Sequence, residues 1–336
     1  MPKYFVKILI KDTFQKILVV RLSSLGDVIL TTPIYRSLKK SDKDIIIHTV
    51  VLDAYKDVLK TNPYINSVWE YSKNSEVIKI LNESLIHEEY DFVIDLQNNF
   101  RSRELLRNVS KNIYRFEKHS LKKLLLVHFK INLLKNFPHI TERYAATFPE
   151  IKLDDEGPEI FIPSSVKPRI AENEVVIGLC PGSKHFTKMW PIDNFVELGN
   201  MMIKKGVKVA IFGGSDDKNI CKHLERNIKG SINLTTDNNI LQLASDMKNC
   251  IAIICNDSGL MHTATAVKTN VLAIFGSTVR EFGFYPYKST HSVLENFSLS
   301  CRPCSHIGRK SCPKKHFKCM KEITPSQVYD KLQELI

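Results

Sequence analysis

The sequence has no uncharged apolar run of about 18 residues, the length a membrane-crossing helix needs, so none is expected. Its first 15 residues, MPKYFVKILIKDTFQ, place Lys and Asp among the apolar positions and offer no small-residue cleavage site. No secretory signal is therefore expected, and a cytoplasmic protein is. Glycine is scarce, at 13 of 336 residues, and it forms neither GxxxxGK[ST] nor a GxGxxG after an apolar run. Neither a P-loop nor the common dinucleotide fingerprint is present. Acid is also short: 36 Asp and Glu face 48 Lys and Arg, for a net charge of +12. The imbalance is local. Residues 101–135 hold ten basic residues and two Glu, and residues 301–321 hold seven basic residues and no acid. Such stretches suit phosphates, acidic glycans, nucleic acid or an anionic membrane surface, or are simply solvated faces. No interleaved aromatic and basic motif supports the nucleic-acid option.

Apolar, β-rich runs alternate with helix-like segments along the chain. KILVVRL (16–22), DIIIHTVVL (44–52) and YDFVIDL (90–96) form a first series. A Pro- and acid-rich stretch, 153–169, follows a basic region. The pattern then restarts with EVVIGLC (174–180), VKVAIF (207–212), CIAIIC (250–255) and NVLAIF (270–275). Two βαβ series predict two parallel α/β domains, 1–165 and 166–336, with the last helix (324–336) a candidate to pack back on the first. Ligands of such sheets bind beyond the carboxyl ends of the strands. Polar and small residues gather there.

In RLSSLGDVIL a lone carboxylate, Asp27, follows Gly26 at a strand-to-helix turn. In NDSGLMH, Asp257, Ser258 and Gly259 open a helix and His262 lies one turn in; unpaired helix-start N–H groups favour an anion, and the same residues also read as a plain cap. In PGSKHFTKMWP, Ser183, Thr187 and Lys188 suit one phosphate group, or form a solvated basic loop. IFGGSDD places Gly213 and Asp216 where backbone could approach a ligand and acid accept ribose hydroxyls, or makes a simple turn. DLQNNFRSR offers Asn99 and Arg101 to an anion, or a capped helix with surface Arg.

Taken together and in this order, these segments resemble glycosyltransferase family 9, the ADP-heptose:lipopolysaccharide heptosyltransferases, over residues 16–335. The resemblance implies a GT-B fold, two Rossmann-like domains facing a central cleft. The first domain would hold a lipid-linked anionic glycan, the Kdo-containing inner core, and the second the nucleotide-sugar donor. Transfer would invert the anomeric centre without a metal. Asp27 matches the family's general base and Gly26 the turn that presents it to the acceptor. Lys188, Thr187 and Ser258-Gly259 would hold the diphosphate, with Lys188 also catalytic. Ser183, Gly213, Asp257 and His262 would shape the donor site, Asp216 would take the ribose, and Asn99 and Arg101 the acceptor. The enzyme would work at the inner face of the inner membrane without nucleic acid. Residue 98 is Asn where many members carry Gly.

Four of the eight Cys (180, 221, 250, 255) stand apart and read as core thiols. Cys301, Cys304, Cys312 and Cys319 lie close together, with His306 and His316 nearby; zinc could bind there, but reduced thiols are the favoured reading and no cofactor is expected. Three alternatives remain: a related GT-B enzyme with another sugar or acceptor, a nucleotide-sugar epimerase, and a basic zinc-containing nucleic-acid-binding protein.

Overall fold

A computed structural model describes residues 15–336. The reading of residues 1–14 lies outside the described residues. The first sheet contains β1 (Lys16–Val20), β2 (Ile46–Leu52), β3 (Ser67–Tyr71), β4 (Phe92–Asp95) and β5 (Ile113–Arg115), in the order β3-β2-β1-β4-β5. The second contains β6 (Val176–Cys180), β7 (Lys208–Ile211), β8 (Ile232–Asn233), β9 (Ala252–Asn256), β10 (Asn270–Phe275) and β11 (His291–Glu295), in the order β11-β10-β9-β6-β7-β8. Every pairing is parallel; Val20, for example, lies between Val50 and Asp95. The architecture is the two-domain α/β fold expected.

Parallel sheets are covered on both faces, so their central strands are apolar throughout. β1 is Lys-Ile-Leu-Val-Val, and its Ile17, Leu18, Val19 and Val20 are fully buried. Leu18 and Val20 point to an outer cluster with Leu81, Leu85 and Leu105. Ile17 and Val19 point the other way, into a cluster that continues through Met261 and Tyr285 to Ile253 and Phe275 of the second sheet. The inner faces of the two sheets thus share one core.

The last helix, Pro325–Gln333, does not return to the first domain. Val328 and Leu332, one turn apart, fill an apolar cluster on the second sheet's outer face with Trp190, Phe195 and Leu198. That burial fixes the helix where it starts. The acid-rich connection is pinned from both sides. Arg36 of the first domain meets Asp154 and Glu159, and Lys288 of the second meets Asp155.

Each sheet reverses its strand order at one point, β1/β4 in the first and β6/β9 in the second. Crevices for ligands open at such points. Asp27 follows β1, Lys188 follows β6, and Asp257 follows β9, so both switch points empty into the same space.

Candidate active site between the two domains

That space is a cleft of about 920 Å³, lined by Ser24, Gly26 and Asp27 on one side and Ser183, Lys188, Asp257 and Ser258 on the other. The turn after β1 explains the first wall. Ser24 caps the short helix Leu25–Ile29, which makes Asp27 its third residue. The Ser24 backbone N–H and hydroxyl both donate to Asp27 Oδ2, at 3.1 and 2.7 Å. Arg21, the first residue past β1, reaches Asp27 Oδ1 at 2.6 Å. The Tyr144 hydroxyl donates to the same oxygen at 2.8 Å, and the Arg21 guanidinium lies over the Tyr144 ring. Burial by itself raises the carboxyl's pKa. Arg21 and the two hydroxyls outweigh burial and hold Asp27 below the usual carboxylate range. Asp27 is therefore an ionised, fixed carboxylate at neutral pH.

The second wall is built from loops tied together by their own polar groups. Asn256 at the end of β9 accepts from the Trp190 N–H at 2.9 Å and donates to the Pro181 carbonyl at 2.7 Å. Those bonds set the loop after β6 against the loop after β9. Lys188 Nζ then lies 2.7 Å from Asp257 Oδ2, which also accepts from the Thr278 hydroxyl at 2.7 Å. The Ser183 hydroxyl donates to the Asp257 carbonyl at 3.2 Å. Ser258 precedes the helix Gly259–Ala266, whose first N–H groups face the cleft end of β9. Two buried polar atoms here, Ser258 Oγ and His262 Nδ1, make no hydrogen bond within the protein. Burial lowers the His262 pKa to about 4, against the pull of Asp257 and Asp27, so the imidazole is neutral at pH 7.

The walls touch at a seam of two glycines. A Cβ on Gly26 would stand 2.4 Å from His262 Cδ2, and one on Gly259 would stand 2.9 Å from Leu25 Cδ2. Only hydrogen fits at either place, so the helix bearing Asp27 rests directly on the helix bearing His262.

Of the residues expected at the site, Gly26, Asp27, Ser183, Lys188, Asp216, Asp257, Ser258, Gly259 and His262 line the cleft. Four do not. Thr187 is buried, and its hydroxyl bonds the Ser277 hydroxyl and the Arg309 N–H at 3.0 and 2.8 Å, staking loops together behind Lys188. Gly213 packs against Cys221 and Asp217, and its neighbour Gly214 takes the cleft position. Asn99 spends its side chain capping the helix Phe100–Leu105 through the Ser102 N–H at 3.1 Å. Arg101 is exposed on that helix, away from the cleft lining. The site also contains Arg21, Ser24, Tyr144 and Thr278, and Tyr55 in the cleft lining, none of which the sequence pointed to, although Arg21 and Ser24 share a stretch with Asp27.

Among the described residues, no group of three or more His, Cys, Asp or Glu side chains is arranged to hold a metal ion. In the cysteine-rich loop, Cys301 Sγ lies 3.9 Å from His316 Nε2, and Cys319 is buried in the outer apolar cluster, where burial pushes its thiol up to about 12. The four isolated cysteines are all buried.

The pattern of glycosyltransferase family 9 (heptosyltransferase) matches residues 78–316. Lipooligosaccharide heptosyltransferase 2 of Haemophilus influenzae is 25% identical over 96% of this chain and 99% of its own length. The crystal structure of a glycosyltransferase family 9 protein from Veillonella parvula superposes with a TM-score of 0.79 at 22% identity, covering 97% of this chain and 98% of that one. The E. coli ADP-heptose lipopolysaccharide heptosyltransferase II gives 0.74 at 21% identity, covering 96% and 98%.

Proposed function

The chain belongs to glycosyltransferase family 9, the heptosyltransferases, and from that premise we propose that it moves heptose from ADP-heptose onto the anionic inner core of lipopolysaccharide, with inversion and with Asp27 as general base. The observation that carries this reading is one cleft holding a fixed carboxylate on one wall and a cation with unpartnered donors on the other.

In the proposed reaction the acceptor hydroxyl approaches Asp27 Oδ2, displacing the Ser24 hydroxyl that shares that oxygen. Its oxygen attacks the anomeric carbon while the bond from that carbon to the β-phosphate oxygen breaks. The hydroxyl proton passes to Asp27 as the new C–O bond forms and the hydroxyl becomes acidic. The lowered pKa keeps Asp27 ionised at neutral pH, and it can take the proton because the attacking hydroxyl becomes strongly acidic as its oxygen bonds the anomeric carbon. The electron pair leaves with ADP. Lys188, the Ser258 hydroxyl and the N–H groups at the start of Gly259–Ala266 stabilise the negative charge that develops on the diphosphate. Asp257 aims Lys188, and Asp216 takes ribose hydroxyls. No metal enters the scheme, since the cation and the helix start supply the positive potential.

The acceptor is lipid-linked, which places the enzyme at the cytoplasmic membrane surface. No helix among the described residues is long and apolar enough to cross a membrane, so contact would be peripheral. The first experiment is thermal shift with a panel of nucleotides and nucleotide sugars, with magnesium and with chelator. A rise in Tm with ADP and ADP-heptose that is unchanged by chelator is expected. Preference for UDP or GDP ligands would overturn the donor, and dependence on magnesium would overturn the metal-free scheme.

A further inference from the structure

Large apolar side chains left on the surface normally stand alone. Here five of the fourteen exposed ones among the described residues fall within 13 positions: Leu121, Leu124, Phe129, Ile131 and Leu133, each 48 to 68% exposed. They belong to the helix Ser120–Phe129 and the turn after it. The helix is firmly held. Leu126 and Val127, on one face, pack with Leu134 and with Phe282 of the second domain. Lys130 ends the helix and donates across to the carbonyls of Cys301 and Pro303, at 3.1 and 2.6 Å. Leu121 and Leu124, three apart, therefore point outward because the opposite face is committed. The apolar stripe is not a frayed end. It is an ordered surface on an anchored element.

Its charge is one-sided. Residues 118–135 carry five Lys and two His and no acid. Lys118 and Lys123 are half-buried, while Lys122 lies over the Phe137 ring and His128 and Lys135 are exposed. An apolar stripe flanked by Lys122 and Lys135, with acid only at its edges, Glu117 beside His119 and Glu281 on Asn132, suits a helix lying in a membrane interface. A second protein copy fits less well, because Lys122 and Lys135 of each copy would meet like charge across the contact.

We propose that Leu121, Leu124 and Phe129, with the Lys residues around them, form the face by which this enzyme docks on an anionic lipid surface. The same helix packs through Leu126 and Val127 on Phe282, which lines the cleft, so docking sets that side of the cleft near the bilayer. A lipid-anchored glycan can then reach Asp27 without leaving the membrane. This deepens the peripheral contact proposed above and rests on that reading for its biological sense, though not for its test.

The test is flotation of the full-length protein with vesicles of phosphatidylcholine alone or mixed with phosphatidylglycerol, at low and high salt. The wild type should float with the anionic vesicles, less so at high salt and least with the neutral ones. The triple variant Leu121→Ser/Leu124→Ser/Phe129→Ser should lose binding by at least about tenfold. Ile80→Ser, a control at a residue 63% exposed on the helix Ser75–His87, should bind as the wild type does. Equal melting temperatures would show that all variants fold. Absence of wild-type flotation, or an unchanged triple variant, overturns the docking face. So does a concentration-dependent dimer that the triple variant abolishes while lipid binding persists. Transfer to a delipidated, soluble acceptor separates the two claims. The triple variant should match the wild type there and fall behind on vesicle-embedded acceptor. A wild type inactive on the soluble acceptor would instead strike at the transfer reaction.

Discussion

The two walls of the cleft are finished to different degrees. Around Asp27 every carboxylate oxygen is spoken for, by Arg21 and Tyr144 on one and Ser24 on the other. Around Lys188 and Asp257 the loops are tied firmly from behind, yet Ser258 Oγ and His262 Nδ1 have no partner in the protein; on the first wall the atom left so is Arg21 Nε, on the guanidinium rather than the carboxylate. Buried polar atoms are rarely left so without a ligand to satisfy them. In the proposed reading the first wall holds a charge at one point, whereas the second is completed by the donor it binds. A proton acceptor must be placed before substrate arrives. A diphosphate brings its own charge and needs only donors waiting for it.

The sharpest break in this comparison is Asp27→Asn. It keeps the size of the side chain and removes the proposed base, so transfer should fall by about 10²–10⁴-fold. Stabilisation by ADP should be untouched, because the donor wall is intact. Loss of both in a melting-point assay with ADP would show that the two walls are not separable. Lys188→Ala should do the reverse, weakening ADP stabilisation and cutting transfer by about 10²–10³-fold. Measured kcat and KM for the donor should both move.

Next in size is the seam. Gly26→Ala forces a methyl group against His262, and overpacking of this kind costs about 1–3 kcal/mol. The double variant Gly26→Ala/His262→Ala should recover much of that loss, a coupling that denaturant unfolding of the four proteins reads directly.

A smaller effect concerns pH. Burial, then Arg143, Lys118 and Arg21, lower the Lys123 pKa to about 8, while Asp27 pulls the other way. Lys123 is charged below pH 8 and neutral above it. An anionic acceptor favours the charged form, so its KM should rise several-fold between about pH 7.5 and 9 in the wild type and much less in Lys123→Met. The acid limb of kcat/KM for transfer should lie below the ordinary carboxylate range, since Asp27 stays ionised to lower pH than a free carboxyl. An acid limb near pH 6 would mean that another group is the base.

The smallest expected effect tests the reassigned residue. Asn99→Ala should cost about 1 kcal/mol of stability as a lost cap, with the transfer rate unchanged.

Most of the fold could be read in the sequence because the central strands of two parallel sheets are apolar on both faces. β1, β2, β4, β6, β7, β9 and β10 all announce themselves that way. The strands that did not, β3, β5, β8 and β11, are the four sheet edges. An edge strand is covered on fewer sides, and Ser67–Tyr71 and Ile113–Arg115 are mostly half-buried and mixed in character. That Asp27, Lys188 and Ser258 line the cleft could be anticipated because each lies in the loop or turn after a strand, where ligand crevices open. Asn99 carries the same polar-after-strand signature, and nothing in one sequence separates a cap from a ligand contact. Tyr144 gave no signal at all. It stands 117 residues from the carboxylate it holds, a contact that only the folded helix Ile140–Ala145 creates.

The shared inner core has a consequence for how the molecule comes apart. Ile17 and Val19 belong to the same apolar cluster as Ile253 and Phe275, bridged by Met261 and Tyr285. Pulling one half away would wet a face that the other half also depends on, so neither half retains a complete interior by itself. The protein should melt in a single calorimetric transition in which the calorimetric and van't Hoff enthalpies agree, as they do for a chain that unfolds as one cooperative unit.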